Sequence, residues 1–189
     1  IGTDDFLNRK AVRNMKEKQQ IAEKALTLLQ PDTTFFLDSG STTTTFARQI
    51  PDRSYLIYTT GLSCATEMAN LSKPTVMLPG GQLNRYSQSV FGLSTIRELE
   101  RVNFDQAFLG VTGYHPSVGF SCGVSDEAMS KQTAIRRSEQ VVALMDSSKI
   151  NVKCTFSFCS LSDIDIVVSD GKLPQEFLAE CRKYGVQVL

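Results

Sequence analysis

Hydrophobic positions recur with two different periods along this chain. Val12, Met15, Ala22, Leu26 and Leu29 fall at helical spacing, which predicts a helix from about Asn8 to Leu29, charged in its front half and increasingly apolar later. Beyond it come short runs rich in β-branched and aromatic residues: Thr33 to Leu37, Tyr55 to Tyr58, Thr75 to Leu78, Phe104 to Leu109, Gln140 to Met145 and Ile164 to Val168. These read as strands, most ending in a small polar loop and several followed by a helical pattern. Such alternation predicts an α/β fold with a mainly parallel sheet and helices on both faces. A helix from Pro174 to Tyr184, opened by proline and closed at Gly185, and a short strand at Val186 to Leu189 complete the order.

Composition narrows the function classes. A hydrophobic content of 41% in 189 residues allows one well-buried core. Twenty basic residues balance twenty acidic ones, so the chain by itself has no global field to draw it onto nucleic acid or an anionic membrane. The cysteines Cys64, Cys122, Cys154, Cys159 and Cys181 are odd in number, form no C-x-x-C pair and have one histidine, His115, for company. That argues against a disulfide framework and a Cys/His zinc site, so no metal or cofactor is expected, and it favours a reducing cytoplasm. No apolar run approaches the roughly 20 residues of a membrane span, and Ile1 to Gln20 is polar rather than signal-like, so a cytoplasmic protein is expected. The start at Ile1, without methionine, points to further sequence upstream.

In open parallel sheets ligands bind at the carboxyl ends of the strands, near a reversal of strand order. The first such end runs from Phe35-Phe36-Leu37-Asp38 into Ser39-Gly40-Ser41-Thr42-Thr43, just where a helix over Thr42 to Ile50 can begin. A helix start leaves N–H groups without intrahelical partners and carries a positive dipole end, while Gly40 lets the backbone approach an oxyanion closely. The next ends give Thr59-Thr60-Gly61, then Gly80-Gly81 with Arg85 close by, then Gly110-Val111-Thr112-Gly113. A glycine-punctuated loop leads to a helix starting near Ser125 with Asp126, Glu127 and Lys131, and the last end is Asp146-Ser147-Ser148-Lys149. Each piece alone has an ordinary reading. Gly80-Gly81 suits a hairpin turn, Ser125-Asp126-Glu127 an acidic helix start, Lys131 an exposed pair with Glu127, and Asp146 a cap. Together they place glycines, hydroxyls and a few charges on one edge of the sheet.

The ordered set Lys18 to Ala25, Phe36-Leu37-Asp38-Ser39-Gly40-Ser41-Thr42-Thr43, Pro79-Gly80-Gly81-Gln82-Leu83-Asn84, Phe91-Gly92, Asp105-Gln106-Ala107-Phe108-Leu109-Gly110, Lys131 and Asp146-Ser147-Ser148-Lys149 resembles the effector-sensing domain of DeoR-family transcriptional repressors. The likeness runs from about Lys18 onward. It implies a fold like that of sugar-phosphate isomerases and coenzyme A transferases related to ribose-phosphate isomerase. It also implies a phosphorylated sugar effector, assembly into a homo-oligomer, and operator DNA as a partner through an N-terminal winged helix-turn-helix that this chain does not contain. Residues 1–20 are then a linker helix toward that module, and residues 21–189 the effector-binding domain. Two departures stand out: Thr59-Thr60-Gly61 replaces the family's usual Thr-Asn, and Ser41-Thr42-Thr43 its usual Gly-Thr-Thr.

On this reading the phosphate-binding set is Ser39, Gly40, Ser41, Thr42, Thr43 and Lys131, with Arg85 as a second candidate cation. The sugar-binding set is Asp38, Thr59, Thr60, Gly61, Gly80, Gly81, Arg85, Gly110 and Glu127. An aldose-ketose isomerase needs a carboxylate base, and the related isomerases carry an acidic cluster after a central strand. Here Asp105 is followed by an amide and apolar residues, so a binding site without catalytic residues is expected. A working sugar-phosphate isomerase is the alternative, with Asp38, Glu127 and Asp146 as possible bases. Nucleotide or acyl-CoA binding ranks third, because neither G-x-x-x-x-G-K-[ST] nor G-x-G-x-x-G occurs. The linker helix, lying between sensor and DNA-binding module, is the expected lever of a transcriptional switch.

Overall fold

The side chains of the central strands alternate between two separate cores, and that alternation organises the molecule. In the computed structural model, which describes residues 12–189, strand β1 (Thr33–Leu37) sends Phe35 and Leu37 to one side and Phe36 to the other. The same division holds in β6 (Phe104–Gly110) and β9 (Ser138–Leu144). Phe108, Val142 and Leu144 join Phe35, while Ala107, Leu109, Val141 and Ala143 join Phe36. A strand buried on both faces has nearly continuous apolar sequence, which is why these runs were legible.

Seven strands form one sheet in the order β12-β11-β9-β6-β1-β2-β3, with every neighbouring pair parallel. The remaining members are β2 (Tyr55–Thr59), β3 (Thr75–Met77), β11 (Ile166–Val168) and β12 (Gln187–Val188). One face is covered by α1 (Met15–Leu26), α2 (Ser41–Gln49) and α3 (Leu62–Met68). The other is covered by α4 (Leu93–Leu99), α5 (Ser125–Arg136) and α6 (Gln175–Lys183). Chain order reverses between β1 and β6: β2 and β3 succeed β1 in one direction, β9 and β11 succeed β6 in the other. The crevice between β1 and β6 is therefore the position at which a ligand is accommodated in such sheets.

Two smaller antiparallel units were not expected. Strands β7 (Gly113–His115), β8 (Gly119–Cys122) and β10 (Phe156–Cys159) form a three-stranded sheet, and β4 (Gln82–Asn84) pairs with β5 (Ser89–Phe91). Their sequences read as glycine-punctuated loops because each strand is only a few residues long. Gly80-Gly81 is not the turn of the β4–β5 hairpin. A Cβ on Gly81 would lie 2.3 Å from Thr95 Oγ1 and 2.5 Å from the Phe91 carbonyl, and Thr95 donates to the Gly80 carbonyl at 2.6 Å. The pair of glycines packs this segment onto α4.

The expected helix from Asn8 to Leu29 is interrupted at Asn14 and ends at Leu26. Its first residues lie outside the described range. Asn14 has left-handed backbone angles (φ 55°, ψ 39°), so α1 begins only at Met15. At the other end the N–H groups of Leu28 and Leu29 bond to Ala25 and Leu26, three residues back, which tightens and ends the helix. The buried stripe is Lys18, Ile21, Ala22 and Ala25, whereas Val12 and Met15 are exposed.

Phe108 is fully buried, with ring centroids of Phe35 and Phe46 at 5.5 and 4.9 Å. Phe108→Ala should destabilise the chain by about 3–5 kcal/mol, the usual cost of an aromatic cavity. Urea unfolding should show this as a lower midpoint at unchanged slope.

Candidate functional site

Three chain segments meet at the crevice between β1 and β6. Asp38 follows the last residue of β1, and its N–H donates to the Phe108 carbonyl at 3.0 Å, carrying the ladder one residue further. Its carboxylate turns across β6, where Oδ2 accepts the Gly110 N–H at 3.0 Å. Lys131 reaches the same oxygen from α5, and its Nζ also donates to the Gly110 carbonyl at 2.9 Å. Both charged side chains are almost wholly buried, at 2% and 4% exposure, which is tolerable only because they are paired. Burial, the largest single influence on Lys131, favours loss of its proton, yet Asp38, then Glu127, then the hydrogen bond to Asp38 outweigh it. The net effect raises the lysine above its ordinary value of 10.5, so it is an ammonium at any physiological pH.

Beside this pair lies the N-terminus of α2. Gly40 precedes it with φ 139°, a conformation L side chains rarely adopt, and no side chain caps the helix. The first intrahelical bond runs from the Thr44 N–H to the Gly40 carbonyl at 2.9 Å, leaving the earlier amides of the turn without helical partners. Ser39, Gly40, Ser41 and Thr42 line a cavity of about 260 Å³ that Gly110, Glu127 and Lys131 also line. Thr43 departs from the expected set. Its side chain is fully buried behind the cradle, where its hydroxyl donates to the Gly40 carbonyl at 3.1 Å and receives the Cys64 thiol at 3.7 Å. Burial pushes that thiol up to about 11 and leaves it inert.

The rest of the wall was not in the expected set. Tyr86 and Ser87 come from the loop between β4 and β5, Val111 and Thr112 follow β6, and Lys149 and Cys154 come from the segment after β9. Lys149 ends a short 3₁₀ turn (Ser147–Lys149) and makes no ion pair among the described residues. Asp146, by contrast, is buried beneath that turn and does not line the cavity.

Six expected contacts lie elsewhere. Thr59 and Thr60 are buried structural residues, Thr59 accepting the Gly61 N–H at 3.1 Å and Thr60 accepting the Val90 N–H at 2.9 Å. Gly61 sits so close behind the cradle that a Cβ would stand 3.0 Å from Ser39 Cα. It lines an adjoining cavity of about 310 Å³ that shares Gly40, Ser41 and Ser87 with the first and is walled by Met15 and Gln19 of α1. Gly80 and Gly81 pack on α4, and the exposed Arg85 does not reach either cavity. The physical reason is strand order: β2 and β3 step away from the reversal point, so their carboxyl ends support the crevice or leave it. Among the described residues, no group of three or more His, Cys, Asp or Glu side chains could hold a metal ion. No helix there is long and apolar enough to cross a membrane.

Comparison with known proteins identifies the family and the fold. The model of the DeoR C terminal sensor domain matches residues 13–171. The HTH-type transcriptional regulator GlpR of Haloferax volcanii is 32% identical over 190 aligned positions, covering 100% of this chain and 74% of the relative. A putative aga operon transcriptional repressor of Escherichia coli O157:H7 is 31% identical, covering 95% of this chain and 67% of that protein. Among solved structures, ribose 5-phosphate isomerase A from Methanocaldococcus jannaschii superposes with a TM-score of 0.51 at 16% identity. That match covers 70% of this chain and 53% of the isomerase, so the chain spans about half of that enzyme's length and shares its fold.

The Lys131–Asp38 pair makes a prediction with a definite sign. A group whose folded pKa lies above its unfolded value contributes stability that is fully present below the unfolded value and lost as pH rises through the folded one. Lys131→Met should cost about 3–5 kcal/mol at neutral pH by leaving a buried carboxylate unpaired. In urea unfolding across pH, the gap to the unaltered chain should persist through neutrality and, as pH rises, narrow only above the ordinary lysine value of 10.5. A gap that closed near pH 7, roughly three units lower, would mean that the lysine is not held as an ammonium.

Proposed function

We propose that this chain, which belongs to the DeoR family of transcriptional regulators as its C-terminal sensor domain, binds a phosphorylated sugar in the cavity between β1 and β6. The observation that carries the reading is the uncapped N-terminus of α2 above Gly40, opening into the same cavity as Lys149. Helix amides and a cation converging on one small cavity are the donor set a phosphate monoester requires. Lys131 is a poorer anchor than the sequence implies, because Asp38 already neutralises it. Lys149 takes that role, with Ser39, Gly40, Ser41 and Thr42 supplying backbone and hydroxyl donors. Glu127, together with Gly110 and the polar groups of the Asp38–Lys131 pair, then reads the sugar hydroxyls. Unmatched polar groups in such a closed site cost about 1–3 kcal/mol each, which gives selectivity among sugars.

In this reading the site binds and does not convert. Asp38 is committed to Lys131 and Gly110, and an ammonium at Lys131 cannot accept a proton. Asp38 is not in the cavity wall, where Glu127 is the one carboxylate among the described residues, and abstraction at a sugar carbon needs a base placed opposite a group that stabilises the enediolate. Residues 21–189 form the effector domain and residues 1–20 the linker toward a DNA-binding module. The protein works in the cytoplasm as a homo-oligomer whose operator affinity responds to the bound sugar phosphate. For that response the ligand must bind one arrangement better than the other.

A thermal-shift screen of pentose, hexose and triose monophosphates, with the free sugars as controls, tests the reading. A binder at about one hundred times its dissociation constant stabilises the fold by roughly 2.7 kcal/mol. Lys149→Ala should weaken that binder by about 10- to 100-fold, the value of one charge-assisted hydrogen bond. Equal shifts from free sugars would remove the phosphate assignment, and conversion of the bound sugar followed by NMR would replace the sensor with an enzyme.

A further inference from the structure

Asn14 ties the start of α1 to the turn whose last residue, Lys149, lines the ligand cavity. It stands at the start of α1 in the left-handed conformation, which asparagine tolerates better than most residues. Its side-chain amide donates to Asp146 Oδ1 at 3.4 Å and to Ser148 Oγ at 3.3 Å, across more than a hundred residues of chain. Both acceptors belong to the turn that ends in Lys149.

That turn is held together by its own hydrogen bonds. Asp146 Oδ1 accepts the Ser148 N–H at 3.0 Å and the Ser148 hydroxyl, and the Asp146 carbonyl accepts the Lys149 N–H at 3.2 Å. Asp170, after β11, accepts the Ser147 N–H at 3.1 Å and its hydroxyl at 2.9 Å. One end of this pinned unit carries a cavity lysine, and the other holds the linker by two long bonds from one amide. The remaining oxygen of Asp146, Oδ2, is buried without a hydrogen-bond partner among the described residues.

We propose that the Asn14 amide, seated on the Asp146–Ser148 turn, is the joint through which an anion in the cavity controls the linker helix. The inference rests on the phosphate reading above. An anion at the α2 N-terminus draws Lys149 inward, the pinned turn follows, and the Asn14 bonds tighten, fixing the first turn of α1. Coupling is reciprocal, so the latch strengthens anion binding by the factor by which the anion strengthens the latch.

The test is amide hydrogen exchange of the 189-residue chain with and without inorganic phosphate, read at the first turn of α1 beginning with the Lys18 N–H, which donates to the Asn14 carbonyl at 3.0 Å. Phosphate should slow exchange there several-fold in the unaltered chain. Asn14→Gly keeps the left-handed backbone and removes the amide, and Asn14→Asp keeps the shape but replaces a donor by an acceptor facing Asp146. Both should still bind phosphate in calorimetry, weakened by about the factor of the lost protection, and neither should slow exchange in α1. A response that persists in both variants overturns the latch and assigns the coupling to the packed faces of α1 and α2. Phosphate binding without any response in the unaltered chain overturns it as well. No phosphate binding at all removes the anion site itself, and this inference with it.

Discussion

The Lys131 ammonium, reaching from α5 to the Asp38 carboxylate and the Gly110 carbonyl, joins three segments that strand order alone would only bring near one another. It needs the crevice, because a parallel sheet whose order reverses between β1 and β6 opens a gap at their carboxyl ends. The crevice in turn needs the pair. Two backbone groups of the half-buried Gly110 find their partners there, the N–H on Asp38 and the carbonyl on Lys131.

Pairing also redistributes charge in the cavity. With Asp38 and Lys131 cancelling each other, the remaining charges in the wall are Glu127 and Lys149, one on α5 and one on the turn after β9. On the proposed reading these two ends address different parts of one ligand, the cation and the α2 amides facing an anion and the carboxylate accepting hydroxyls. The same division explains why the enzyme-like fold need not carry enzyme chemistry. A fold shared with an isomerase at 16% identity does not by itself carry that enzyme's chemistry, because chemistry resides in the side chains placed on a fold.

Much of the large sheet was legible in the sequence. The runs at Phe35 to Leu37, Ala107 to Leu109 and Val141 to Leu144 are continuous and apolar because both faces are buried, and the Ser39-Gly40-Ser41-Thr42 turn announced a helix start. The short antiparallel strands were illegible, since three or four residues look like loop until a partner distant in sequence is found, as β8 finds β10. The break at Asn14 was also hidden. Apolar spacing ran through it, and its cause is a contact with Asp146 and Ser148 that no local pattern encodes.

What the chain determined alone was the set of polar strand ends, because alternation and turn chemistry are local and survive in any arrangement of the strands. Tertiary structure decided which of those ends share a cavity. Strand order sent Gly80, Gly81 and Arg85 away from the site and left Thr59 and Thr60 as buried support, while it brought Lys149, Tyr86 and Ser87 into the wall. Burial then chose the partner of Lys131. From sequence it could equally have been a surface lysine pairing with Glu127 one turn away. In a low-dielectric crevice its charge requires a carboxylate at contact distance, and Asp38 is the one the fold supplies.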